Sequence, residues 1–141
     1  MVAVLLVDPD DVERSRIAGA LRRSGQEVLE ARDEAEALVL LEPRPMALVI
    51  VAEEAPPGPV RELIGRLRPC SHGALVLIGQ GQEVHPTEAL ELGVHHFVPR
   101  PVDLELLRAR VAAYLRPLWD QGRQPGHGGG RRGLCDPSRQ S

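Results

Sequence analysis

Residues Ala47–Pro59 read ALVIVAEEAPPGP. Six apolar residues end at Ala52, and two glutamates and three prolines follow. A short apolar run rich in Val and Ile and closed by turn residues is the pattern of a strand buried on both faces. In an open parallel α/β sheet, chemistry gathers just past the carboxyl ends of such strands. The residue at the tip of this strand therefore matters most. It is Ala52, whose methyl group carries no chemistry.

Working outward, the same pattern recurs. Val2–Val7 (VAVLLV) is an apolar run ending in the acidic turn Asp8-Pro9-Asp10-Asp11. A helix follows it, with Val12, Ile17, Ala20 and Leu21 near the helical period. Asp10 or Asp11 caps its start, and Gly25 suits its C′ position. Glu27–Ala31 is short and half polar, as an edge strand is. Asp33 opens a second helix with Glu36 as a capping-box partner. Ala35, Leu38, Val39 and Leu41 are its expected apolar face, and Pro43 and Pro45 end it.

Downstream, Pro59 stands at the N1 position of a third helix lined by Val60, Leu63, Ile64 and Leu67, with Pro69 closing it. Ala74–Ile78 is a fourth buried strand, followed by the loop Gly79–Gln82. A short helix from Pro86 to Leu92 ends at Gly93. His96–Pro99 is a fifth strand. Asp103 caps a final helix with Leu104, Leu107, Val111, Tyr114, Leu115 and Leu118 at spacings of 3 and 4. Five strands alternating with five helices imply βαβ units, right-handed crossovers and a parallel sheet covered on both sides. Residues 1–120 account for this domain. From Gln121 to Ser141 the chain turns Gly- and Arg-rich with little apolar content, the composition of a disordered tail.

The 141 residues are 43% hydrophobic, enough for one core burying roughly two-thirds of the unfolded surface. No apolar run approaches the ~20 residues of a membrane helix. The start has no basic flank before its apolar run, so it does not read as a secretory signal. A soluble, cytoplasmic protein with no membrane partner is expected. Cys70 and Cys135 form no CxxC pair, so free thiols are expected. Residues 1–120 carry 13 Arg against 19 Asp and Glu, a charge of −6, whereas 121–141 carry +3. All 17 cationic residues are Arg. An acidic body with 2% aromatics lacks the basic field and stacking platforms of a nucleic-acid binder.

From Val2 to about Leu118 the sequence resembles the receiver domains of two-component response regulators. The resemblance implies a doubly wound, flavodoxin-like parallel sheet of strand order 2-1-3-4-5. It also implies a strand-tip pocket for phosphoryl transfer, in which acids hold Mg²⁺ and a hydroxyl and an ammonium stabilise the phosphoryl oxygens. VLLVDPDD matches the first strand and acidic pair. Asp8 keeps the first acid, Pro9 replaces the second, and Asp10 lies one further on. Counting back from Pro56 puts Ala52 in the place of the phospho-accepting Asp. The hydroxyl position falls on Gly79. In FVPRPVD, Arg100 stands for Lys, Pro101 is retained, and Phe97 falls on the family's aromatic switch position. A guanidinium is not an ammonium, and the geometry differs. Only Asp8 is intact among the pocket positions, as in degenerate, pseudo-receiver members.

The expected function is a stand-alone, non-enzymatic signalling module that acts by protein–protein contact without phosphorylation. Its partner is a signalling protein or a homodimer mate on the face of helix four, strand five and helix five. Phe97, Tyr114 and Trp119 lie in that quarter, and aromatic anchors are enriched at interfaces. The alternatives are a phosphotransfer receiver using a displaced carboxylate, Glu53 or Asp8, and a flavodoxin-like small-molecule binder. Glu53 and Glu54 read as solvated loop charges, with Glu53 as a stand-in facing the pocket the other choice. Asp8 and Asp10 read as capping groups, with a divalent cation the alternative. No cofactor is expected, Mg²⁺ included. His95 and His96 point to opposite faces of a strand and do not chelate one metal. Gly79-Gln80-Gly81 lacks the third glycine of a dinucleotide loop.

Overall fold

Strict alternation of side chains divides the apolar runs between two layers. Odd residues of the first strand go to one face of the sheet and even residues to the other. The computed structural model describes residues 3–42, 46–82 and 84–120, with only the backbone described for 70–73 and 116–120. In it Leu5, Val7, Val49, Val51, Leu75 and Leu77 pack on one side, while Val4, Leu6, Leu48, Ile50, Val76 and Ile78 pack on the other. Each run therefore has to be apolar throughout.

The elements are β1 (Ala3–Val7), α1 (Asp11–Arg23), β2 (Glu27–Ala31), α2 (Glu34–Leu41), β3 (Met46–Ala52), α3 (Val60–Leu67), β4 (Ser71–Gly79), α4 (Pro86–Glu91), β5 (His96–Pro99) and α5 (Leu104–Asp120). A single 3₁₀ turn, Arg68–Cys70, joins α3 to β4. All neighbouring strands are parallel, in the order β2-β1-β3-β4-β5. This is the doubly wound receiver-like sheet. Helices α2, α3 and α4 cover one face through Ala37, Leu41, Leu63, Ile64, Leu67 and Ala89. Helices α1 and α5 cover the other through Ile17, Ala18, Leu21, Leu107, Val111 and Leu115.

Local signals placed several boundaries. Asp10 is the N-cap of α1, its carboxylate accepting from Val12 and Glu13 N–H. Gly25 has φ +92°, a conformation L side chains rarely adopt. Asp33 caps α2 by accepting from Glu36 N–H, and Glu36 accepts in return from Arg32 N–H. Asp103 caps α5 by accepting from Leu106 N–H. Val60, Leu63, Ile64 and Leu67 are all buried, as their spacing requires.

Other expectations need correction. On α2, Leu41 is buried, but Ala35, Leu38 and Val39 are exposed, and the buried stripe is Glu34, Ala37 and Leu41. Ala37 to Leu41 are apolar without a break, so periodicity alone selects no face. The choice falls to Glu34, which turns inward and pairs with Arg66 of α3. Val12 is 78% exposed, and the buried face of α1 is Ile17, Ala18, Ala20 and Leu21. Pro59 is the N-cap of α3 rather than its N1 residue. β4 begins three residues earlier than its apolar run, pairing Ser71 with Met46. Pro43, Pro45, Cys135 and the tail from Gln121 lie outside the described residues, as do the side chains of Cys70, Leu118 and Trp119.

Candidate functional site

Because the strands are parallel and nearly in register, four of them end side by side. Val7 pairs with Val51, Ala52 with Ile78, and Gly79 with Pro99. The chain leaves each strand at that edge. Asp8, Ala52, Glu53, Gly79 and Arg100 are thereby brought to one end of the sheet, as the sequence reading requires.

Asp8 is 1% exposed. Its Oδ1 accepts from Asp10 N–H at 2.9 Å, while Oδ2 is buried with no hydrogen-bond partner among the described residues. Burial pushes the carboxyl above its ordinary value. The Asp10 amide and the Arg100 charge pull the other way without cancelling the effect. Asp10 is exposed and engaged in capping α1. Pro9, between them, brings neither a charge nor an N–H donor.

Arg100 crosses the mouth of this site. It donates to Glu54 Oε1 at 2.8 Å and lies 3.6 Å from both Asp8 Oδ2 and Glu13 Oε2. Burial works against its charge. The hydrogen bond to Glu54, together with the fields of Glu54, Asp8 and Glu13, nevertheless holds it above its ordinary value. Pro101, exposed, follows it. Glu54, expected as a solvated loop charge, and Glu13, which the sequence did not single out, are the acidic neighbours of Arg100 beside Asp8. No local signal marks them, since each meets Arg100 only after the chain has folded.

Ala52 is fully buried and contributes a methyl group. Glu53 is not a solvated loop charge: it is 3% exposed. Its side chain turns toward β4, where Oε1 accepts from Gln80 N–H at 3.1 Å. Glu54 does face solvent but is committed to Arg100. The donor set does not fit Mg²⁺. Asp8 Oδ2 accepts no hydrogen bond but is ion-paired with the Arg100 guanidinium at 3.6 Å, Glu53 Oε2 is packed against Gly79, and the side chains of Pro9 and Ala52 carry no oxygen. Among the described residues no group of three His, Cys, Asp or Glu is placed to hold a metal ion.

Of the aromatic residues whose side chains are described, Phe97 lies on β5 and Tyr114 on α5, packed against opposite layers of the sheet. Phe97 is half-buried against the α2–α3–α4 layer. Tyr114 is half-buried against the α1–α5 layer, donates to His95 O at 3.2 Å and stacks edge-on with the His95 ring. His95 precedes β5, and its Nδ1 accepts from Leu75 N–H. Burial, reinforced by Arg110, lowers the pKa of His96. Leu90 of α4 and Leu106 of α5 are the exposed apolar residues of this region, at 54% and 45%. The sequence reading passed over both because each fits an amphipathic helix.

No family model matches the chain. The receiver domain of the hybrid histidine kinase CckA, a solved structure, is 31% identical, with 80% of this chain and 98% of that one covered and a TM-score of 0.66. The chain belongs to the receiver-domain family of two-component response regulators. In fold this receiver domain also matches a two-component response regulator from Clostridium difficile, at a TM-score of 0.76 and 23% identity over 84% of this chain and 98% of that one. Among curated relatives, a cyclic di-GMP phosphodiesterase of Thermotoga maritima is 30% identical over 82% of this chain and 31% of its own length. The receiver domain spans about a third to a half of the length of the curated relatives it matches. No helix among the described residues is long and apolar enough to cross a membrane.

Proposed function

We propose that this receiver domain is a pseudo-receiver, a non-enzymatic signalling module that works through protein contact without aspartyl phosphorylation. The observation that carries the reading is Ala52 at the tip of β3, in the place the family resemblance gives to the acceptor. A methyl group has no lone pair to attack phosphorus. The surroundings agree. Gly79 brings no hydroxyl, Pro9 brings no second acid, and Arg100 is already engaged by Glu54. The contact surface in this reading is the β5 edge with α4 and α5 on either side. It presents Leu90, Leu106 and the half-buried Phe97 and Tyr114, with Trp119 further along α5. A signalling protein or a second copy of the chain is the partner, and neither nucleic acid nor membrane takes part.

Incubation with a small phosphodonor and Mg²⁺, followed by intact mass, tests the proposal. The mass stays unchanged if the reading is right. A stoichiometric, base-labile gain of one phosphoryl group contradicts it. One observation favours a second reading, in which a displaced carboxylate, Glu53 or Asp8, accepts the group: Glu53 Oε2 and Asp8 Oδ2 lie at the strand tips without a hydrogen-bond partner among the described residues. Under that reading the mass gain appears and is abolished by Glu53→Gln or by Asp8→Asn.

A further inference from the structure

Gly79 has no backbone reason to be glycine. Its φ is not in the left-handed region, unlike those of Gly25, Gly81 and Gly93. Its reason is space. A Cβ built on Gly79 falls 2.7 Å from both Glu53 Cγ and Oε2, and closer still to Cδ. Real Cβ atoms essentially never approach so near. These neighbours are not the loose end of an exposed side chain. Glu53 is buried, its N–H donates to Ile78 O at 2.8 Å, and its Oε1 holds Gln80 N–H. The residue after β3 is thus fixed to β4 through both backbone and side chain. On its other side, Gly79 O accepts from Arg100 N–H at 3.1 Å.

We propose that Glu53 and Gly79 form an interlock. The Glu53 carboxyl group sits at the tip of β4, filling the volume any side chain at 79 would need and holding the β4–α4 connection at Gln80. Positions 53 and 79 are then one unit that must change together. The loop leading into α4 is fixed by the chain's own acid, with no modification required. This inference does not depend on whether any carboxylate of the pocket accepts a phosphoryl group.

The test uses the full chain and four variants: Glu53→Ala, Glu53→Gln, Gly79→Ser, and Glu53→Ala with Gly79→Ser. Overpacking makes Gly79→Ser lower Tm by roughly 5 °C or more, whereas the double variant melts within roughly 2 °C of Glu53→Ala alone. Equal losses in the two backgrounds overturn the interlock. Amide hydrogen exchange at Gln80 supplies an independent reading that does not require Gly79→Ser to fold. Exchange accelerates roughly tenfold or more in Glu53→Ala and stays within roughly threefold of wild type in Glu53→Gln, which keeps the accepting oxygen. Unchanged exchange in Glu53→Ala overturns the proposal.

Discussion

The bodies of the strands and their tips follow different rules. From Val4 to Val7 and from Leu48 to Val51 every residue is fully buried and apolar, and consecutive side chains serve opposite layers. One residue further on, the same strands carry a buried carboxyl at Asp8 and a methyl at Ala52, with a second buried carboxyl at Glu53. The bodies meet the demand of any doubly wound sheet, close packing on two faces. The tips are buried as well, but they pack carboxyl groups among the apolar side chains. Polar and charged groups are held there beside the close-packed sheet, and under the proposed function the sheet persists with Ala52 in the acceptor's place. Fold and chemistry are written in adjacent but separable residues.

If that contrast is sound, truncation in a strand body has the largest effect. Ile50→Ala removes a fully buried side chain from the α1–α5 layer. It is expected to lower unfolding free energy by roughly 2–5 kcal/mol in denaturant titration. A loss under about 1 kcal/mol would break the contrast from the fold side.

At the tips the sign reverses. Asp8 has its pKa raised by burial. Its native state therefore holds the proton more tightly than the unfolded chain does. Its contribution to stability is complete below the ordinary value near 3.8 and is lost as pH rises through the folded value. At neutral pH the buried carboxylate is a cost. Asp8→Asn keeps an acceptor for Asp10 N–H and is expected to raise stability at pH 7 by roughly 0.5–2 kcal/mol. The gain shrinks as pH falls through the folded value toward 3.8. Denaturant melts at several pH values check this, and a loss of stability at pH 7 contradicts it.

The smallest effect sharpens the contrast on the helices. Val39 is 70% exposed on α2 despite its apolar character. Val39→Gln is expected to change stability by less than roughly 0.5 kcal/mol in the same titration. A larger loss would return Val39 to the core that its sequence context suggests.

How much of this was legible in sequence follows the same division. β2 and β5 match their expected limits because short alternating or apolar segments bounded by Gly, Pro and Asp leave little choice. The caps at Asp10, Asp33 and Asp103 are local bonds, readable from residue type and spacing. The face of α2 was not legible, since Glu34 is drawn inward by an arginine 32 residues away. The tip positions Asp8, Ala52, Gly79 and Arg100 could be placed by counting from Pro56 and the strand ends. The burial of Glu53 could not. It depends on an absent Cβ at Gly79, a relation between two strands that neither strand records by itself. The bond from Arg100 to Glu54 likewise spans 46 residues.

The central proposal is that the strand tips do not support acyl-phosphate chemistry, although the sheet is that of a receiver. Its most direct test is intact mass of the folded wild-type chain after exposure to a small phosphodonor with Mg²⁺. The account predicts an unchanged mass. A stoichiometric gain of one phosphoryl group, lost on mild base treatment, would contradict it.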